Sequence, residues 1–158
     1  MGKYKRRYRG SRDKYSVEQT AVRATVSGAT TTAVTVVPTT TLKGMRKVKH
    51  LTVSLSSSVA PTVFQGVYWC LVFVPEGYNP QAMGIPTTEN PSVDLYPANQ
   101  FVMGSGVIDF DAGPQRISTP LSRNLNSGDS IVLLLRRADA SEDSAPIWGV
   151  VKYAITLQ

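Results

Sequence analysis

The sequence predicts an all-β protein, and three observations carry that reading. β-branched and aromatic residues recur in short runs with a period of two. Clusters of Gly, Pro, Asn and Asp separate those runs, as turns do. No i, i+3, i+4 apolar stripe lasts long enough between capping signals to demand a helix of three turns. Seven or eight strands with long loops leave a sandwich, a jelly roll or a small barrel. No internal repeat is evident, which argues against a propeller.

The strands follow in order. Val22-Arg-Ala-Thr-Val26 and Val34-Thr-Val36 alternate apolar and polar side chains amid a Thr-rich stretch. Leu51, Val53 and Leu55 face one way while Thr52 and Ser54 face the other, as in a half-buried strand. Val67 to Val74 is apolar on both faces, so it is expected at the centre of a sheet or under a neighbouring subunit. Residues 75–100 hold five prolines and no period of either kind, and read as one long excursion from the body. Phe101 to Phe110 resumes the extended pattern, with Gly104-Ser-Gly106 suggesting a bulge. Asp111-Ala-Gly-Pro114 then predicts a hairpin turn into Gln115-Arg-Ile-Ser-Thr119, and Asn124 to Asp129 forms a second turn cluster. Ile131 to Leu135 reads as another buried strand ending at Arg136-Arg137, for which a structural or intersubunit role is expected. In the last segment Ile147, Val151, Tyr153, Ile155 and Leu157 share a face opposite Lys152 and Thr156.

Charge divides the chain sharply. Residues 1–15 carry seven Lys/Arg and one Asp, a net +6, and the remaining 143 residues balance at ten basic against ten acidic. The expected organisation is therefore a basic arginine-rich arm, 1–15, and one folded domain, 16–158. Lys3, Lys5, Arg6, Arg7, Arg9, Arg12 and Lys14 would each neutralise a phosphate, giving salt-sensitive binding with little sequence preference. Tyr4, Tyr8 and Tyr15 lie among them, and tyrosine rings stack on unpaired bases, which favours single-stranded partners. Fully extended, the arm reaches about 50 Å. The same composition suits a nuclear-localisation signal. A second basic group, Lys43, Arg46, Lys47 and Lys49, precedes the strand at Leu51. It extends the nucleic-acid surface if its face adjoins the exit of the arm, and is an ordinary solvated edge if not.

Other chemistry finds little support. His50 is the only histidine and Cys70 the only cysteine, so a disulfide within the chain and a cysteine-based zinc site are both excluded. No Gly-x-Ser-x-Gly elbow or phosphate-binding glycine loop occurs. Asp109 and Asp111, two apart on an extended segment, could in geometry approach a calcium ion, but a turn or a pairing with Arg116 accounts for them more simply. The expectation is a protein that is not an enzyme and has no cofactor and no metal. The longest apolar run, Val67 to Val74, falls far short of the ~20 residues of a membrane-spanning helix, so no membrane insertion is expected.

A basic, aromatic-containing arm ahead of a β-rich body resembles the capsid proteins of small eukaryotic viruses. More specifically, Val107 to Leu133 has a Gly113-Pro114 turn, a short strand, then Ser122-Arg-Asn-Leu-Asn-Ser-Gly-Asp129 before an apolar strand. This arrangement resembles the capsids of circular Rep-encoding single-stranded DNA viruses, the circovirus/nanovirus-like group, over about 30 residues. The resemblance implies a single jelly-roll sandwich of about eight antiparallel strands. It also implies self-assembly into an icosahedral T=1 shell of 60 copies, with the arm directed inward onto circular single-stranded DNA. New subunits would use the arm to engage the host nuclear import machinery, giving a virion protein that passes through the host nucleus. By the same analogy, residues 75–97 form a loop at the shell surface or around a symmetry axis, and neighbouring subunits cover Trp148. The alternatives are an OB-type single-stranded nucleic-acid-binding barrel, disfavoured by the electrical neutrality of the body, and the capsid of a satellite RNA virus.

Overall fold

The computed structural model describes residues 15–58, 66–97, 101–139 and 143–157. They form a β-sandwich of two antiparallel sheets. The strands are β1 (Ser16–Val26), β2 (Thr32–Val37), β3 (Arg46–Ser57), β4 (Val67–Val74), β5 (Phe101–Ile108), β6 (Gln115–Ser118), β7 (Arg123–Leu125), β8 (Ser130–Arg137) and β9 (Ala145–Leu157). Sheet A has the order β1-β9-β3-β6, with β7 also on β3, and sheet B the order β2-β8-β4-β5. The pairing is nested: β1 with β9, β2 with β8, β3 with β6 and β7, β4 with β5. A three-residue 3₁₀ turn, Phe110–Ala112, is the helical element among the described residues.

The core lies between the sheets. Val67 and Leu71 of β4, Ile131, Leu133 and Leu135 of β8, Leu51, Val53 and Leu55 of β3, and Ile147, Val151 and Tyr153 of β9 meet there. Each such aliphatic side chain contributes roughly 1.5–3 kcal/mol on burial. The terminal segment thus buries the face its alternation predicts. Trp69 also points into this space, and it fits because Gly104 and Gly106 on the paired strand have no side chains. A Cβ on Gly106 would sit 3.0 Å from the indole nitrogen. A bulge is present, but at Met103 rather than at Gly104-Ser-Gly106, which pair in regular register: the β4–β5 register slips between Leu71 and Val72.

The opposite face of sheet B is covered by the chain itself. Residues 75–97 fold back so that Met83, Leu95 and Tyr96 pack on Cys70, Val72 and Val74 of β4 and on Val132 and Leu134 of β8. This third layer explains two central strands that are apolar on both faces. It also corrects the expectation of an excursion away from the body. Arg136 clamps the layer, donating to the carbonyl oxygens of Gly28, Ala29 and Met83, while the Tyr96 hydroxyl accepts from the Gln81 amide at 3.1 Å. Arg137 ties the β8–β9 connection through Asp139 at 2.8 Å and the Asp143 carbonyl at 2.9 Å. The arginine pair is structural, as expected.

Two further expectations change. The turn after Asp111 does not make a hairpin: β5 belongs to sheet B and β6 to sheet A, so this turn crosses the sandwich. Asp109 caps the 3₁₀ turn, its Oδ1 accepting from the Asp111 amide at 2.9 Å. The basic group before Leu51 also lies largely inside a strand, because β3 begins at Arg46.

Candidate nucleic-acid interface

β3 changes phase in its middle. Lys47 and Lys49 point outward and Val48 inward; beyond the slip Leu51, Val53 and Leu55 point inward and Thr52 and Ser54 outward. His50 absorbs the change with a positive φ of 54°, at the point where the β3–β9 register slips between Lys49 and Thr52. A non-glycine residue seldom adopts that conformation, and the bulge is what requires it. The slip keeps two lysines on the outer face of a strand whose remaining outward positions are neutral.

Around them the outer face of sheet A is basic. Register places Arg23 of β1 beside Trp148 of β9, Lys152 of β9 beside Thr52, and Arg116 of β6 beside Ser54. Side chains paired in this way share a face. Arg23, Lys47, Lys49, Arg116 and Lys152 therefore project from one surface. Of the nine described acidic side chains, none joins them. Glu76, Glu89 and Asp94 belong to the layer on sheet B, and Asp109, Asp111, Asp129, Asp139 and Asp143 to connections between strands. Glu18, on β1, alternates to the inward row, where the Tyr153 hydroxyl lies 3.4 Å from its carboxylate. Burial first, and then that carboxylate, push the Tyr153 phenol above its ordinary pKa. The body is neutral by count and polarised by placement, which removes the ground on which the barrel alternative was disfavoured. That alternative meets a different obstacle, since two separate facing sheets are not a closed five-stranded barrel.

The arm is rooted on this face. Lys3, Tyr4, Lys5, Arg6, Arg7, Tyr8, Arg9, Arg12 and Lys14 lie outside the described residues, but Tyr15 lies within them. Its ring centre is 4.8 Å from Lys49 Nζ, a cation–π contact. Lys43 is exposed in the β2–β3 connection. Arg46 is placed differently: it is 7% exposed and turned inward, its guanidinium donating to the carbonyls of Pro38 at 3.0 Å and Asp129 at 3.1 Å. The Asp129 carboxylate, also buried, accepts from the amides of Glu76 and Asn126. This cluster cinches the β2–β3, β4-exit and β7–β8 connections at one end of the sandwich.

No protein-family model matches the chain, and no curated protein matches it in sequence. One solved structure, of Desmodium yellow mottle tymovirus, is similar at 13% identity over 92% of this chain and 90% of that one, with a TM-score of 0.27. A likeness that weak carries no argument.

Arg23, Arg116, Lys152 and Trp148 are members of the face that sequence reasoning did not assign to it. Isolated cations on three different strands give no local signal. The phase slip did leave one, since the inward apolar residues run 48, 51, 53, 55. Among the described residues, no group of three or more His, Cys, Asp or Glu is placed to hold a metal ion. Cys70 is fully buried, and burial raises its thiol pKa to about 11.

Proposed function

We propose that the chain is the coat protein of a small virus, a jelly-roll subunit that assembles into a closed 60-copy shell around circular single-stranded DNA. The observation that carries this reading is the contact of Tyr15 with Lys49, which roots a +6 arm on a sandwich face that, among the described residues, has cations and no carboxylates. Arm and face then form a continuous polycation on one side of the subunit, suited to a packaged polyanion. The nested strand pairing across a five-stranded and a four-stranded layer supports the jelly roll.

Assembly has its own support. β5 is an edge strand of eight residues with no charge and no proline, and it exposes Phe101, Val102 and Val107. Such an edge is ordinarily blunted by lysine or proline unless something covers it. A second subunit would cover it, and closed symmetry would keep the contact from growing into open aggregates. Nuclear import through the arm belongs to the same proposal.

The test is electron microscopy of the full-length protein purified from cells, beside a Val107→Lys variant. Uniform particles roughly 200 Å across, the size for some sixty domains of this mass in one layer, with nuclease-protected DNA inside, are expected. The variant should fold and stay unassembled. Monomers from the unaltered protein at all salt concentrations would overturn the proposal.

A further inference from the structure

A groove of about 500 Å³ crosses the basic face between β1, β9, β3 and β6. Val17 of β1 and Val150 of β9, four register positions apart, are apolar members of its lining, Thr52 and Ser54 supply hydroxyls, Arg116 and Lys152 supply cations, and among the described residues no carboxylate lines it. Val17 and Val150 are exposed, and along the β9 row from Val150 stands Trp148, 54% exposed on the same face. Apolar side chains interspersed with two cations suit a ligand that is itself half apolar ring and half anion.

We infer that this groove seats nucleotides of a single strand, with phosphate on Arg116 and Lys152 and bases against Val17, Val150 and Trp148. The inference rests on the reading above that this face meets single-stranded nucleic acid, and it adds which side chains of the body take the strand and how. A duplex keeps the flat faces of its bases stacked inside, so Trp148 and the two valines would find no ring to pack on. An unpaired strand can use both halves of the groove. The arm's cations serve either form, and its tyrosines add stacking of their own. Selection of single strands therefore has a part in the folded body besides the one in the arm.

The experiment uses the full-length protein, an oligo(dT) probe and a duplex probe of equal length, over a series of salt concentrations. Trp148→Ala is expected to weaken oligo(dT) binding about 5- to 150-fold, the range for losing one stacked base, and to leave duplex binding unchanged. Arg116→Ala with Lys152→Ala should lower the salt slope for oligo(dT) by about 1.4, two contacts at about 0.7 each. Ultraviolet crosslinking should place oligo(dT) on the peptide holding Trp148 to Lys152. All three side chains are exposed, so circular dichroism and Tm should match the unaltered protein. Crosslinks confined to the arm with unchanged slopes, or equal loss for both probes in Trp148→Ala, would overturn the inference. Normal particles from these variants with unchanged single-strand binding would sink the groove alone. Failure of the unaltered protein to form particles, with the single-strand effects as predicted, would sink the shell and leave the groove.

Discussion

Arg46 and its neighbours Lys47 and Lys49 make the cleanest test of inward against outward placement, since all three are basic and adjacent in sequence. Arg46→Met keeps most of the buried stem and removes the guanidinium. The carbonyls of Pro38 and Asp129 then lose charged donors at 3.0 and 3.1 Å. The Asp129 carbonyl is buried, and leaving such an acceptor unsatisfied costs about 1–3 kcal/mol; Pro38 is exposed, so water can reach its carbonyl and the lost bond costs about 1 kcal/mol. Part of this is returned, because Arg46 Nε is itself buried without a partner and its removal relieves a similar single penalty. The net loss is about 1 kcal/mol, which for a domain of this size lowers Tm by about 2–4 °C. Lys47→Ala with Lys49→Ala should behave in the opposite way, leaving Tm nearly unchanged and lowering the salt slope of single-strand binding by about 1.4. Thermal melts and binding isotherms at several salt concentrations read both quantities. A reduced slope with an unmoved Tm in Arg46→Met would refute the inward placement.

Two other predictions concern stability. A Cβ added to Gly149 would lie 2.0 Å from the Ser54 carbonyl oxygen and 3.0 Å from Leu55 Cδ2, in a strand held between β1 and β3. Gly149→Ala should cost more than about 3 kcal/mol, seen as a collapse of the urea midpoint or of soluble yield; a change under about 1 kcal/mol would contradict the packing. Cys70 is shifted from 9.0 to about 11 by burial, so the folded state holds its proton where the unfolded state has lost it. Its contribution is therefore intact below pH 9 and declines by up to about 1.4 kcal/mol per pH unit between pH 9 and 11. Cys70→Ser or Cys70→Ala should flatten that part of the pH–stability curve, and an unchanged slope would show that other groups set it.

Much of the architecture was legible because burial writes itself into strand composition. Ile131 to Leu135 could only be a covered strand, and the alternation after Ile147 named its own inner face. Residues 75–97 were harder, since Met83, Leu95 and Tyr96 are scattered through a proline-rich stretch with no period. The demand for a cover was written instead on β4, in Cys70, Val72 and Val74. The turn at Asp111-Ala-Gly-Pro114 is a local signal, and local signals do not say which sheet the next strand joins. Arg46 looked like its lysine neighbours because charge alone does not distinguish a side chain aimed at two carbonyls from one aimed at water. The basic face stayed hidden for a related reason: a balance of ten against ten counts charges and is blind to the sides of a sheet.

The nested pairing also sets an order of events on the ribosome. Ser16 pairs with Ile155, so β1 has no complete in-register partner until residue 155 has been made. At about 5–20 residues per second, β1 waits about 7 to 28 s after it is made. β3 can pair with β6 and β7 as soon as they are made, but its other edge waits, since β9 lies between β1 and β3 and pairs with both. Sheet A is therefore completed only when β9 slides in as a keystone. A nascent chain stalled before residue 145 would carry every cation of the outer face except Lys152, with only the β3, β6 and β7 part of the sheet to arrange them.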